Sequence, residues 1–117
     1  MRKELWLVAV ALSLGCLLAA PAHAAGDAAA GRVKAQTCTG CHAIASYNNV
    51  YPTYHVPKLG GQHAEYIVAA LKAYKSGERA HKTMHANAIN LSDQDMQDIA
   101  AFFAAEVPGS QATAKAE

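Results

Sequence analysis

An all-α fold is what this sequence predicts, on three observations. Two stretches, residues 62–76 and 92–107, carry apolar residues at helical spacing and end at a glycine or a proline. An alanine-rich stretch over 27–38 opens with an aspartate suited to cap a helix. No run reads as a confident strand, and no internal repeat is present.

The first 24 residues read as an address and not as part of the fold. Arg2 and Lys3 form a positive start, residues 5–20 are apolar, and Ala22-His23-Ala24 supplies a small-x-small cleavage site. A cleaved secretory signal peptide over 1–24 is therefore expected, which predicts export to the periplasm and no stable membrane insertion once the leader is gone. An uncleaved anchor is the competing reading, although the apolar run is short for a span of about 20 residues. Gly15-Cys16 adds a lipoprotein pattern, but Ser13 stands where a bulky aliphatic is usual.

Cleavage after Ala24 leaves a single small domain, expected over 25–108, with a disordered polar tail over 109–117. Loss of Arg2, Lys3 and Glu4 leaves eight basic and eight acidic residues. That balance gives no footing for nucleic-acid binding. A domain of this size commonly needs a cofactor, metal or disulfide to supplement its core.

In the predicted helix over 27–38, Asp27 is the N-cap and Ala30, Val33 and Thr37 share one side. Gly31 costs about 1 kcal/mol there relative to alanine. It marks either a close approach of another element or an incidental weak spot.

Cys38-Thr39-Gly40-Cys41-His42 follows, and Cys-x-x-Cys-His is the attachment sequence of covalent haem. Each thiol can add across a haem vinyl group, and His42 is then held beneath the iron as proximal ligand. Random placement of two cysteines and five histidines among the 93 residues beyond the leader gives this pattern on the order of once in a thousand chains. The rival is a redox disulfide between Cys38 and Cys41, a motif that normally opens a helix after a strand. No such strand precedes Cys38.

Residues 43–61 read as a loop, interrupted by Asn48-Asn49, Pro52, Pro57 and Gly60-Gly61. Tyr47, Tyr51 and Tyr54 recur in it, suited either to wall a flat cofactor or to pack the loop onto the domain. The helix over 62–76 presents Ile67, Ala70, Leu71 and Tyr74 on one face and stops at Gly77, with Lys72 and Lys75 near its end. A second loop is expected through 84–90. The last helix opens at Ser92 with Asp93 and Asp95 in its first turn, buries Met96, Ile99, Ala100 and Phe103, and stops at Val107-Pro108.

With His42 on one side of an iron, the other side decides the chemistry: a methionine raises the potential and closes the metal, whereas an open site invites small ligands. Met1 belongs to the leader and Met96 to a core stripe, which leaves Met84 in its expected loop. His55, His63, His81 and His85 compete with it. His81 and His85 have the spacing of a metal pair, but zinc normally takes at least three protein ligands. Lys72, Lys75, Arg79 and Lys82 precede Met84 while Asp93, Asp95 and Asp98 follow it, so the surface is either electrically polarised or simply solvated.

The chain resembles the class I c-type cytochromes, and especially the bacterial group whose domain also occurs in tandem in dihaem cytochromes. The resemblance rests on Gly31 with Cys38 to His42, Pro57-Lys58-Leu59-Gly60-Gly61-Gln62 with Glu65-Tyr66, Lys75-Ser76-Gly77-Glu78-Arg79, and Met84 with Leu91-Ser92-Asp93-Gln94-Asp95. It implies a cytochrome c fold, three main helices around one haem c held through Cys38 and Cys41. It implies His42 and Met84 as axial ligands and the Pro57 carbonyl as acceptor for the His42 ring N–H. It further implies that the first and last helices cross near Gly31, against Phe102 or Phe103. The expected activity is one-electron transfer between respiratory redox proteins by a monomer or weak oligomer, not an enzyme. A haem enzyme or gas-binding cytochrome with an open sixth site, or an electron-entry subunit, is the alternative. The stretch over 43–56 is longer and richer in tyrosine than in the most compact relatives of this group.

Overall fold

Helices dominate the computed structural model, which describes residues 26–106. The expected leader and tail lie outside the described residues. The elements run α1 (Ala28–Lys34), α2 (Gln36–His42), β1 (Asn48–Val50), β2 (Thr53–His55), α3 (Ala64–Ser76), α4 (Lys82–Ala88) and α5 (Asp93–Ala105). Among the described residues, no helix is long and apolar enough to cross a membrane.

Local chemistry explains most of the boundaries. The Asp27 carboxylate accepts from the backbone N–H groups of Ala29 and Ala30 and opens α1. Ser92 and Asp95 form a reciprocal capping box on α5, joined by the Asp95 N–H to Ser92 Oγ at 3.1 Å and the Ser92 N–H to Asp95 Oδ2 at 2.9 Å. Gly77 closes α3 with a left-handed φ of 82°, where a Cβ would be strained.

Two expectations are corrected. The helix expected over 27–38 is two helices, because the chain turns at Ala35 and restarts as α2. The inward side of these helices carries small residues: Gly31 and Ala35 are buried and Cys38 packs on the core, whereas Val33 is 67% exposed. Small side chains face inward because another helix lies too close for larger ones. Finally, the loop over 43–61 contains a hairpin, with Asn48 paired to His55, Asn49 to Tyr54 and Val50 to Thr53 around a Tyr51-Pro52 turn.

The core sits between α3, α5 and the inner side of α1 and α2. Ile67 and Leu71 of α3 meet Met96, Ile99, Ala100 and Phe103 of α5, the four residues expected on its stripe. Phe103, Met96 and Ile99 are the largest fully buried side chains, each contributing about 1.5–3 kcal/mol by leaving water.

Charge closes the α1–α5 crossing at its edge. Asp98, only 3% exposed, accepts from the Asp27 N–H at 2.9 Å and Gln94 Nε2 at 2.8 Å on Oδ1, and from Lys34 Nζ at 2.6 Å on Oδ2. Lys34 also reaches Asp95 at 2.7 Å. Lys34 holds both carboxyls below the usual carboxylate range, helped by Ser92 at Asp95 and by the Asp27 N–H at Asp98. The two carboxylates in turn raise Lys34.

The carboxyl groups bind protons more weakly folded than unfolded, so their stabilisation is complete above about pH 4 and disappears as pH falls through their depressed values. Lys34 contributes oppositely: its stabilisation is present below the ordinary lysine range and is lost as pH rises through its raised value. The expected result is a thermal midpoint that falls on acidification below about pH 4. Lys34→Met should lower the midpoint at neutral pH and flatten the acid limb, measured by thermal unfolding across a pH series. An acid limb of unchanged slope would contradict this.

Candidate haem-attachment site

The site begins on α2, which threads Cys38-Thr39-Gly40-Cys41-His42 through one and a half turns. Thr39 donates its hydroxyl to the Gln36 carbonyl at 2.9 Å, turning a side chain that favours loops into part of the helix. Cys38, Cys41 and His42 stand at i, i+3 and i+4, the spacing that puts three side chains on one helix face. All three are half-buried, while Thr37 and Gly40 face solvent.

Cys38 and Cys41 are not joined to each other. The element before them is α1 and not a strand, so the setting of a redox disulfide is missing. Burial against the core pushes the Cys38 thiol up.

His42 ends α2 with its ring turned to the loop beyond the hairpin. Its Nδ1 lies 2.7 Å from the Pro57 carbonyl oxygen, and its own carbonyl accepts from the Leu59 N–H at 3.3 Å. A carbonyl can only accept, so Nδ1 carries the proton and Nε2 keeps a lone pair, the tautomer that suits a metal ligand. Pro57 has no N–H to compete for local partners.

Met84 is not in a loop as expected: it occupies the first turn of α4. No glycine or proline interrupts residues 81–90. A helix of seven residues shows too little of a period to be read from pattern alone. Met84 is half-buried and packs on the same core cluster that Cys38 joins. Cys38 of α2 and Met84 of α4 thus border one apolar cluster.

Three of the four competing histidines have local ring partners. His55 meets Asn48 at 3.3 Å across the hairpin, His81 Nδ1 accepts from the Met84 N–H at 3.3 Å, and His85 Nδ1 donates to the Tyr74 carbonyl at 2.8 Å. His63 is exposed at the start of α3. Among the described residues no three histidine, cysteine or acidic side chains gather as a metal cluster.

The acidic residues that follow Met84 have basic partners within the fold. Asp95 and Asp98 hold Lys34, and Asp93 lies 3.4 Å from Lys72. The tyrosines divide. Tyr51 is 92% exposed at the hairpin tip, whereas Tyr54 turns inward onto His81 and Thr83. The sequence signal for that role was the tyrosine repeat itself, which composition could not aim.

Two thiols one helical turn apart, beside an imidazole with a correctly fixed tautomer, fit covalent porphyrin attachment. The family model for cytochrome c matches residues 28–105. Cytochrome c4 of Pseudomonas aeruginosa is 46% identical over 100 residues, covering 86% of this chain and 47% of that protein. Cytochrome c4 of Azotobacter vinelandii is 37% identical over 111 residues, covering 87% of this chain and 50% of that protein. Cytochrome c-554(548) of Halomonas halodenitrificans is 41% identical over 85 residues, covering 70% of this chain and 99% of that protein. The chain spans about half the length of the cytochromes c4 it matches. With a family match across nearly every described residue and a helix-rich fold to agree with it, the chain belongs to the cytochrome c family, whose cofactor is covalent haem c and whose attachment motif is Cys38 to His42.

Proposed function

We propose that this chain is a periplasmic one-electron carrier whose haem c is held by thioether bonds to Cys38 and Cys41 and ligated axially by His42 and Met84. The observation that carries the reading is the 2.7 Å contact between His42 Nδ1 and the Pro57 carbonyl. That bond orients the ring, leaves Nε2 as the donor and raises its basicity. The relatives named as cytochromes c4 and c-554 support an electron carrier.

When bound, haem supplies an iron that takes up and releases one electron. The residues of this chain set the conditions for that. Cys38 and Cys41 anchor the porphyrin on one helix face, the Pro57 carbonyl holds the imidazole still, and the apolar cluster around Met84 excludes water. No acid or base catalyst is required, and the expected partners are redox proteins that donate and accept electrons. Residues 1–24 supply the export signal in this reading.

The experiment is an optical spectrum and redox titration of the exported protein beside Met84→Ala. The wild-type protein should show a methionine-to-iron charge-transfer band. Met84→Ala should keep its covalent haem, lose the band, fall in potential and bind carbon monoxide readily when reduced. Carbon monoxide binding by the reduced wild-type protein would favour an open sixth site instead. His85 shares the Nδ1-to-carbonyl arrangement of His42, so an unchanged spectrum in Met84→Ala would move the sixth ligand away from Met84 and make His85 the next candidate.

A further inference from the structure

We infer that His81 and Tyr54 are positioning residues for Met84: the tyrosine-bearing hairpin steadies the imidazole that caps the Met84 helix, and this sets how firmly the thioether is presented. The inference rests on the reading of Met84 as the distal ligand.

Helix α4 has seven residues, too few to be stable alone. Its first N–H groups have no partner within the helix. His81 is the N-cap, with extended backbone, and its Nδ1 accepts the N–H of Met84 itself at 3.3 Å. That bond fixes the peptide from which the methionine side chain departs. It also requires the neutral ring to carry its proton on Nε2.

An imidazole is an unusual cap, since serine, threonine, aspartate and asparagine reach the same N–H with short, stiff side chains. The longer ring must be held from outside, and two tyrosines do so. Tyr54 meets the His81 ring edge to face, with centroids 4.7 Å apart and planes at 83°, and Tyr74 approaches at 6.2 Å and 74°. The Tyr54 hydroxyl is hydrogen-bonded to Thr83 Oγ1 at 3.1 Å, one residue before Met84. Arg79 lies over the Tyr74 ring at 4.7 Å, and the Tyr74 carbonyl takes the His85 ring, so the far side of the Met84 turn is tied to α3.

The hairpin has no comparable part in the core. No residue from 48 to 55 belongs to the main buried cluster. What Tyr54 contacts is the cap and the first turn of α4, which gives the long tyrosine-rich segment a specific purpose.

The test uses the haem-loaded protein and four variants: His81→Ala, His81→Asn, Tyr54→Phe and Met84→Ala. Amide exchange at Met84, the charge-transfer band and the reduction potential are measured in each. His81→Ala should speed exchange of the Met84 amide roughly five- to tenfold, the loss expected of an N-cap. It should also weaken the band and lower the potential. His81→Asn, which restores a cap, should return all three towards wild type. Tyr54→Phe keeps the ring contact and loses only the Thr83 bond, so it should fold normally and move the same readings by less.

An unmoved band and potential in His81→Ala, with or without faster exchange, would overturn the inference. So would failure of His81→Asn to recover them. Met84→Ala separates this from the ligand assignment. If it shifts the spectrum while His81→Ala does not, only the positioning role fails; if it leaves the spectrum unchanged, the assignment fails with it.

Discussion

Gly31→Val should cost the domain most of its stability, because the α1–α5 crossing has no room for a side chain at that point. A Cβ at Gly31 would lie 1.9 Å from the Asp98 carbonyl oxygen, 2.5 Å from its carbon and 2.9 Å from Phe102 Cβ. The two nearest atoms are backbone, so no change of rotamer relieves the clash and the helices must separate. Separation loosens the Lys34–Asp98 pair and the cover that Ala35 gives to the core.

Even Gly31→Ala is expected to lose on the order of 3 kcal/mol, the upper range for overpacking. That is a large share of the roughly 5–15 kcal/mol that holds a typical domain together. Valine should do worse, with poor yield of folded protein. Phe102→Ala should not rescue either variant, because alanine keeps the Cβ and the two closer contacts are to backbone. An unfolding free energy within about 0.5 kcal/mol of wild type in Gly31→Ala, from denaturant titration, would contradict this account.

Replacing both Cys38 and Cys41 with serine should abolish covalent haem altogether. The two sulfurs share one face of α2 with His42, and among the described residues they are the only cysteines. Cys41→Ser alone should retain one thioether and mature at reduced yield. It is the cleaner single change, since Cys38 also packs on the core and a hydroxyl there would disturb the fold as well as the linkage. Mass spectrometry of the purified protein reads the result directly. A tetrapyrrole mass still attached to the double variant would mean that another residue makes the bond.

The two kinds of structural information in this chain had different sources. Periodicity and capping are local, so α3 and α5 were legible with their buried faces: Ile67 and Leu71 on one, Met96, Ile99, Ala100 and Phe103 on the other. The Ser92 cap and the Gly77 stop were legible for the same reason. The close approach that Gly31 signalled is the α1–α5 crossing, and the larger Val33 is exposed. In a close helix crossing, the residue that matters is the one that takes up no space.

Helix α4 and the hairpin escaped a reading of the sequence because each is too short to display a period. Neither is held by its own propensity. Tyr54, His81 and Thr83 support one another across 29 residues of chain, from the hydroxyl of one element to the first turn of another.

By itself the sequence determined the helical class, the two long helices and the thiol–thiol–imidazole motif, since all of these follow from spacings of three or four residues along one strand of backbone. Only the tertiary structure decided which backbone atoms exclude a side chain at Gly31 and what caps the turn bearing Met84. Those contacts join residues far apart in the chain, and their geometry exists only once the packed core has brought the elements together.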